Sequence, residues 1–177
     1  LAYLPSVSPS SSRSETTPIY YVYGYQGSNV TAAKSTENYK TYGVLYNWQA
    51  AKTACPPGWR LPTDQEWKNL EVLLGMDLSE SDKDYFRNSG AVGKLMKSTS
   101  AWEMNGNGTN DSHFNALPGG YSDYYFSELG YSASFWSSSE TNTGLAWSRE
   151  FRFNNDGVSR NDWPGGLGFS VRCLCNW

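Results

Sequence analysis

YNWQAAKTACPPGWRLPTDQEWKNLEVLLG, Tyr46 to Gly75, reads as a short helix, a cysteine, a rigid proline turn and a second, well-capped helix. The second helix has a start. Thr63 and Glu66 form a T-x-x-E capping box, in which the threonine hydroxyl accepts from the Glu66 N–H and the carboxylate reaches back. Asp64 and Glu66 sit in the first turn, where the backbone dipole favours negative charge. Trp67, Leu70 and Leu74 follow at i, i+3 and i+7 and form one apolar stripe, and Gly75 stands where a left-handed cap ends a helix. The first helix spans about Tyr46 to Ala54, with Trp48 and Ala51 turned inward, and Pro56, Pro57 and Gly58 forbid its continuation.

Outward from this pair, 177 residues suffice for one domain with a real core. Aromatic residues make up 16% of the chain, so Trp and Tyr must build much of that core, and their polar tips need partners. Leu1 to Pro18 is rich in Ser, Thr and Pro and reads as an irregular segment crossing the surface; residues 19–177 read as a single domain. Ile19 to Tyr25 alternates like a strand, and Gln26 to Lys40 reads as a loop or short helix. Ser79 to Lys97 reads as a short helical stretch followed by a glycine-punctuated turn. Beyond Ser98 the chain becomes short aromatic pieces between turns, of which AWSREFRF from Ala146 and GFSVRCLC from Gly168 alternate well enough to be paired strands. Helices first and a looped, mostly antiparallel sheet afterwards make an α+β fold.

Net charge is −3, from 14 basic and 17 acidic side chains, with no basic stripe to follow a phosphate backbone, which argues against nucleic acid. No apolar run approaches the roughly 20 residues that span a bilayer. The sequence carries no starting methionine and no signal peptide, as a mature or trimmed product would. Three cysteines, Cys55, Cys173 and Cys175, with one histidine, His113, make a poor zinc set. A disulfide from Cys55 to one of the terminal pair is the better reading, with the third cysteine left free or intermolecular, and it implies an exported protein.

Three stretches carry candidate chemistry. NGNGTND places Asn105, Asn107, Thr109 and Asp111 at alternate positions, a weak calcium candidate, although Ala116 stands where the loop's closing carboxylate would be. Ser137, Ser138 and Ser139 with His113 lack a nucleophile elbow, so no catalytic residue and no enzyme activity is expected. RFNNDGVSRNDWPGG offers Asn154, Asn155, Asp156, Arg160, Asn161, Asp162 and Trp163: planar amides, carboxylates, a guanidinium and an indole, as sugar- or protein-contacting surfaces use. The same stretch also reads as a solvated hairpin. Asn29, Asn107 and Asn110 each begin an N-x-S/T sequon, a pattern that arises often by chance.

TYGVLYNWQAAKTACPPGWRLPTDQEWKNLEVLLG, then GTNDSHFNALPGGY, FWSSSE, AWSREF and GFSVRCL, resemble in order the Fibrobacter succinogenes major paralogous domain, a family of exported proteins and lipoproteins of Bacteroidetes and related bacteria. Leu1 to Pro5 resembles the continuation of that family's W-M-A-E-N-L motif, which implies a further strand ahead of it. The broader resemblance is to the C-type lectin-like fold, shared with the formylglycine-generating enzymes. It implies two helices flanking a looped sheet, and a disulfide from Cys55 at the first helix to Cys173 on the last strand. Lectin E-P-N and W-N-D motifs have no counterpart, nor do the paired active-site cysteines of formylglycine generation, so the fold transfers and the function does not. Variable proteins of diversity-generating retroelements share this fold and bind through their C-terminal region. The expectation is therefore a non-catalytic, cofactor-free surface module, adhesin- or lipoprotein-like, that binds a glycan or a surface protein through the loops between Trp147 and Gly166, aided by Tyr121, Tyr124 and Tyr125. A structural spacer domain is the alternative, and a formylglycine-generating-type oxidase a remote one.

Overall fold

A computed structural model describes residues 1–141 and 144–176 as a mixed α+β fold with short helices and a mostly antiparallel sheet. The strands β4 (Tyr85–Arg87), β5 (Gly119–Asp123), β6 (Tyr125–Leu129), β7 (Ser132–Glu140), β8 (Ala146–Arg152) and β9 (Val158–Trp163) form one sheet in the order β4-β9-β8-β7-β5-β6. Only β5 and β7 run parallel. Two small pairs flank it: β1 (Tyr20–Tyr21) with β2 (Leu45–Tyr46), and β3 (Trp59–Arg60) with β10 (Leu174–Cys175). The helices are α1 (Val30–Ser35), α2 (Glu37–Tyr42), α3 (Trp48–Ala51), α4 (Asp64–Leu73) and α5 (Val92–Met96).

Local signals place the ends of α4. Thr63 Oγ1 accepts from the Glu66 N–H and the Glu66 carboxylate accepts from the Thr63 N–H, completing the capping box. The Gly75 N–H reaches Val72 O and the Met76 N–H reaches Glu71 O, with Gly75 at φ 112°, the paired bonds of a Schellman cap that only glycine adopts without strain. Arg60 grips the same Glu66 carboxylate, and mainly for that reason the group titrates far below the usual carboxylate range, at about 2.

The apolar stripe differs from the sequence expectation. The buried residues of α4 are Asp64, Trp67 and Glu71, while Leu70 and Leu74 are only partly covered. α3 begins later than expected because Asn47 caps it, accepting from the Ala50 N–H, and it ends at Ala51. Of Ser79 to Lys97, only a short 3-10 turn at Leu78–Glu80, another at Ser89–Ala91 and α5 are helical; Tyr85–Arg87 is a strand, and the expected glycine turn is the helix α5. Gly93 explains the last point, since a Cβ there would stand 2.0 Å from Gly157 O, so this helix docks directly on the β8–β9 turn.

AWSREF and GFSVRC do not pair with each other. β8 lies between β7 and β9, whereas the C-terminal segment bridges Tyr46, Ser122 and Phe135 before pairing with β3. Leu1 to Pro18 has no helix or strand, but it is not a surface segment throughout: Leu4 and Val7 enter the core, the Tyr46 hydroxyl donates to Tyr3 O and the Ser8 N–H donates to Tyr20 O.

Two cores lie on the two faces of the sheet. One collects Tyr20, Tyr46, Trp48, Trp136, Phe169 and small aliphatic residues; the other collects Trp67, Trp102, Phe135, Phe151, Met96 and Val158 under α4 and α5. The indole tips find backbone partners: Trp48 Nε1 donates to Ser137 O and Trp136 Nε1 to Tyr46 O, both at 2.8 Å. Cys55 at the end of α3 is bonded to Cys173, with Cα atoms 5.8 Å apart, and Cys175 is free. This bond is consistent with an exported or extracellular protein. Among the described residues no helix is long and apolar enough to cross a membrane.

Candidate functional site

The hairpin β8–β9 divides its side chains by strand alternation. Arg149 pairs with Arg160 and Trp147 with Asp162 in the ladder, and the intervening pairs are Glu150 with Ser159, Ser148 with Asn161 and Ala146 with Trp163. Arg149 and Arg160 therefore share one face and Glu150, Asn161 and Trp163 the other.

On the inner face is a buried ion network. Glu71 and Arg149 are 0% exposed and Arg87 is 1%. Arg87 donates to both Glu71 oxygens, at 2.8 and 3.0 Å, and Arg149 Nε adds a third bond at 2.6 Å. Asp64 receives Arg149 Nη1 at 2.7 Å and Arg160 Nη2 at 2.9 Å. Burial alone would raise the Asp64 carboxyl, but the hydrogen bonds and charges of Arg160 and Arg149 outweigh it and hold it below its usual value. Arg160 also donates to Asp84 and lies 3.4 Å over the Trp147 ring. These charges fasten α4 to the sheet and leave no free donor fork for a ligand.

On the outer face, where the first core ends, the sheet opens into a cleft of two chambers. The larger, about 390 Å³, is lined by Asp84, Tyr85, Phe86, Glu150, Arg152, Ser159, Asn161, Asp162 and Trp163. The smaller, about 200 Å³, is lined by Tyr121, Asp123, Ser134, Leu167 and Phe169 and shares Glu150, Arg152 and Trp163 with the first. Trp163, 41% exposed, is thus common to both. Glu150 and Arg152 are paired at 2.7 Å, and Asp123 holds Arg13 at 2.6 Å. Tyr85 stands 75% exposed with φ 64°, a left-handed backbone uncommon for a bulky residue.

The seven residues singled out in the sequence do not form one patch. Asn161 and Trp163 line the cleft from its own face of the sheet, and Asp162 borders it from the strand's other face, shared with Arg160. Asn154, Asn155 and Asp156 lie in the β8–β9 turn, about 20 Å of strand away. There Asn155 Oδ1 accepts from the Gly157 N–H and its carbonyl from Lys97 Nζ. Arg160 is buried in the framework, so the strand's alternation removes it from the outer face. Tyr121 lines the smaller chamber, while Tyr124 and Tyr125 are exposed at the β5–β6 turn. Tyr85, Glu150 and Arg152 were not singled out, because their convergence depends on strand pairing across the sheet.

The other candidates separate. In the Asn105–Asp111 loop, Asn107 Oδ1 accepts from the Trp102 N–H and Asp111 Oδ2 from the Thr109 hydroxyl, so these oxygens serve the loop itself. Among the described residues no three His, Cys, Asp or Glu side chains are grouped to hold a metal ion. Ser137 is fully buried in β7, Ser139 Oγ accepts from the Asp64 N–H, and His113 is exposed in a separate loop.

No curated protein and no solved structure matches the chain. The profile of the Fibrobacter succinogenes major domain matches residues 7–174, nearly the whole sequence, and the chain therefore belongs to that family.

Proposed function

We propose that the chain is a non-catalytic exported binding module with a C-type lectin-like fold, carried at the outer-membrane surface by a lipoprotein or adhesin, and that it holds a glycan or a protein segment in the two-chambered cleft. The lectin-like reading is supported by two helices beside a looped antiparallel sheet, with a disulfide from the end of α3 to the C-terminal segment. The observation that carries the binding role is Trp163: a half-exposed indole common to two chambers, on the same face of the sheet as Asn161 and Ser159. An aromatic body with convergent planar polar groups is how ligand surfaces combine contact area with orientation.

An array of glycans and bacterial and host surface proteins, probed with the wild-type chain and with Asn161→Ala/Trp163→Ala, tests the proposal. The wild type is expected to retain at least one ligand and the double variant to lose it, with an unfolding midpoint close to wild type. Undiminished binding by a folded double variant removes this site.

A further inference from the structure

We infer that a groove beside α4 binds an amphiphilic monocarboxylate of the fatty-acid class, with its alkyl chain in the groove and its carboxylate on Arg172. The groove holds about 220 Å³ and shares no lining residue with either chamber of the cleft, so the two sites stand or fall separately. Pro62 and the α4 residues Trp67 and Leu70 line it together with Phe114 and with Leu174 of the C-terminal segment. Trp67 belongs to the second core, Leu70 and Phe114 pack against it half-buried, and the Trp67 and Phe114 rings touch with centroids 5.5 Å apart. The groove is thus an extension of that core left facing water, and covering it with hydrocarbon is favourable.

Charge decides what covers it. Arg172 is the one exposed residue of the lining, which puts it at the rim. Its guanidinium lies 4.6 Å over the Phe114 ring and Nη2 donates to Phe114 O at 2.7 Å, so the group is held in place while its other N–H groups stay free. Each of the other six arginines is ion-paired to a carboxylate. Arg172 has no acidic partner among the described residues, and partial burial lowers its pKa with no acidic group opposing. A carboxylate fits the planar fork of such a group. The rest of the lining offers no competing polar contact: Glu66 is held by Arg60 and by the Thr63 N–H, and Trp67 Nε1 is itself buried. A peptide brings an amide with every side chain and would meet a single charged group. An alkyl carboxylate has one polar end and an apolar remainder, as the groove has one cation and apolar walls.

Calorimetric titration of the chain with octanoate, with octanol and with a short peptide ending in leucine tests this. Octanoate is expected to bind at one site per chain and at least about tenfold more tightly than octanol, as one charge-assisted hydrogen bond predicts. Arg172→Gln should erase most of that difference. Leu70→Glu, which sets a like charge among the apolar side chains of the groove, should weaken octanoate by at least about tenfold, and Trp163→Ala, in the cleft, should leave it unchanged. Unfolding midpoints show whether each variant is folded, and the comparison of octanoate with octanol on the wild type needs no variant. Equal affinity for those two, undiminished octanoate binding by folded Arg172→Gln, or a loss with Trp163→Ala instead overturns the assignment. So does the absence of octanoate binding, and so does tighter binding of the peptide, which would make the groove a site for a protein terminus.

Discussion

Replacing Glu71 by leucine is expected to destabilise the folded chain by about 3–5 kcal/mol, read as a fall in the urea unfolding midpoint. Leucine fits the space but accepts no hydrogen bond, and Arg87 and Arg149, 1% and 0% exposed, lose the carboxylate they share. Arg149 keeps Asp64, but Arg87 keeps only the backbone oxygens of Ser81 and Val158. Burial already pulls the Arg87 guanidinium below its ordinary pKa, with Glu71 opposing, so removing Glu71 leaves the penalty and takes away the compensation. Most of the loss is the cost of a stranded charge. Adding Arg87→Met in the same chain should therefore recover a substantial part of it. A loss below about 1 kcal/mol for Glu71→Leu would show that water or rearrangement satisfies the arginines.

Breaking the Cys55–Cys173 bond is expected to cost roughly 4–5 kcal/mol in the chain-entropy model, because the bond closes a very long loop. The two cysteines are 118 residues apart, so the unfolded chain regains nearly its full freedom once they are released. The bond also holds the segment that carries Phe169 and Val171 into the first core. Cys55→Ser and reduction of the wild type should lower the midpoint by similar amounts. The serine variant tests more than the cross-link, since it also leaves Cys173 free beside Cys175, and agreement between the two experiments assigns the effect to the bond. An unchanged midpoint on reduction would mean that the core alone fixes the C-terminal segment. Domains of this kind are stable by about 5–15 kcal/mol, so either perturbation removes a large share of the total.

How far the sequence could be read follows the range of the interactions. The ends of α4 were legible because the Thr63–Glu66 box and the Gly75 cap are local, within a few residues. Its buried face was not. Apolar periodicity selects Trp67, Leu70 and Leu74, whereas Asp64 and Glu71 are inside because Arg87, Arg149 and Arg160 arrive from distant strands. The composition foretold aromatic side chains with satisfied tips, and Trp48 and Trp136 comply, whereas Trp67 Nε1 is buried without a hydrogen-bond partner. Pairing Cys55 with Cys173 rather than Cys175 came from the family resemblance, as spacing alone does not separate two cysteines two residues apart.

The candidate site was half legible. Asn161, Asp162 and Trp163 stand out as an aromatic and polar cluster, but reading their segment as loop conceals that Arg160 and Asp162 must point to the face opposite Asn161 and Trp163. The partners Tyr85 and Glu150 lie on neighbouring strands and have no sequence signal of their own.

The central claim is that one strand, β9, serves two separate purposes: Arg160 holds the fold and Trp163 faces the cleft. Urea unfolding of Arg160→Ala beside Trp163→Ala tests it most directly. Arg160→Ala is expected to cost about 2–3 kcal/mol, less than Glu71→Leu because Arg149 and Lys68 still face Asp64. Trp163→Ala, at a half-exposed position, is expected to cost less than about 1 kcal/mol. Equal losses, or a larger loss at Trp163, would contradict the division.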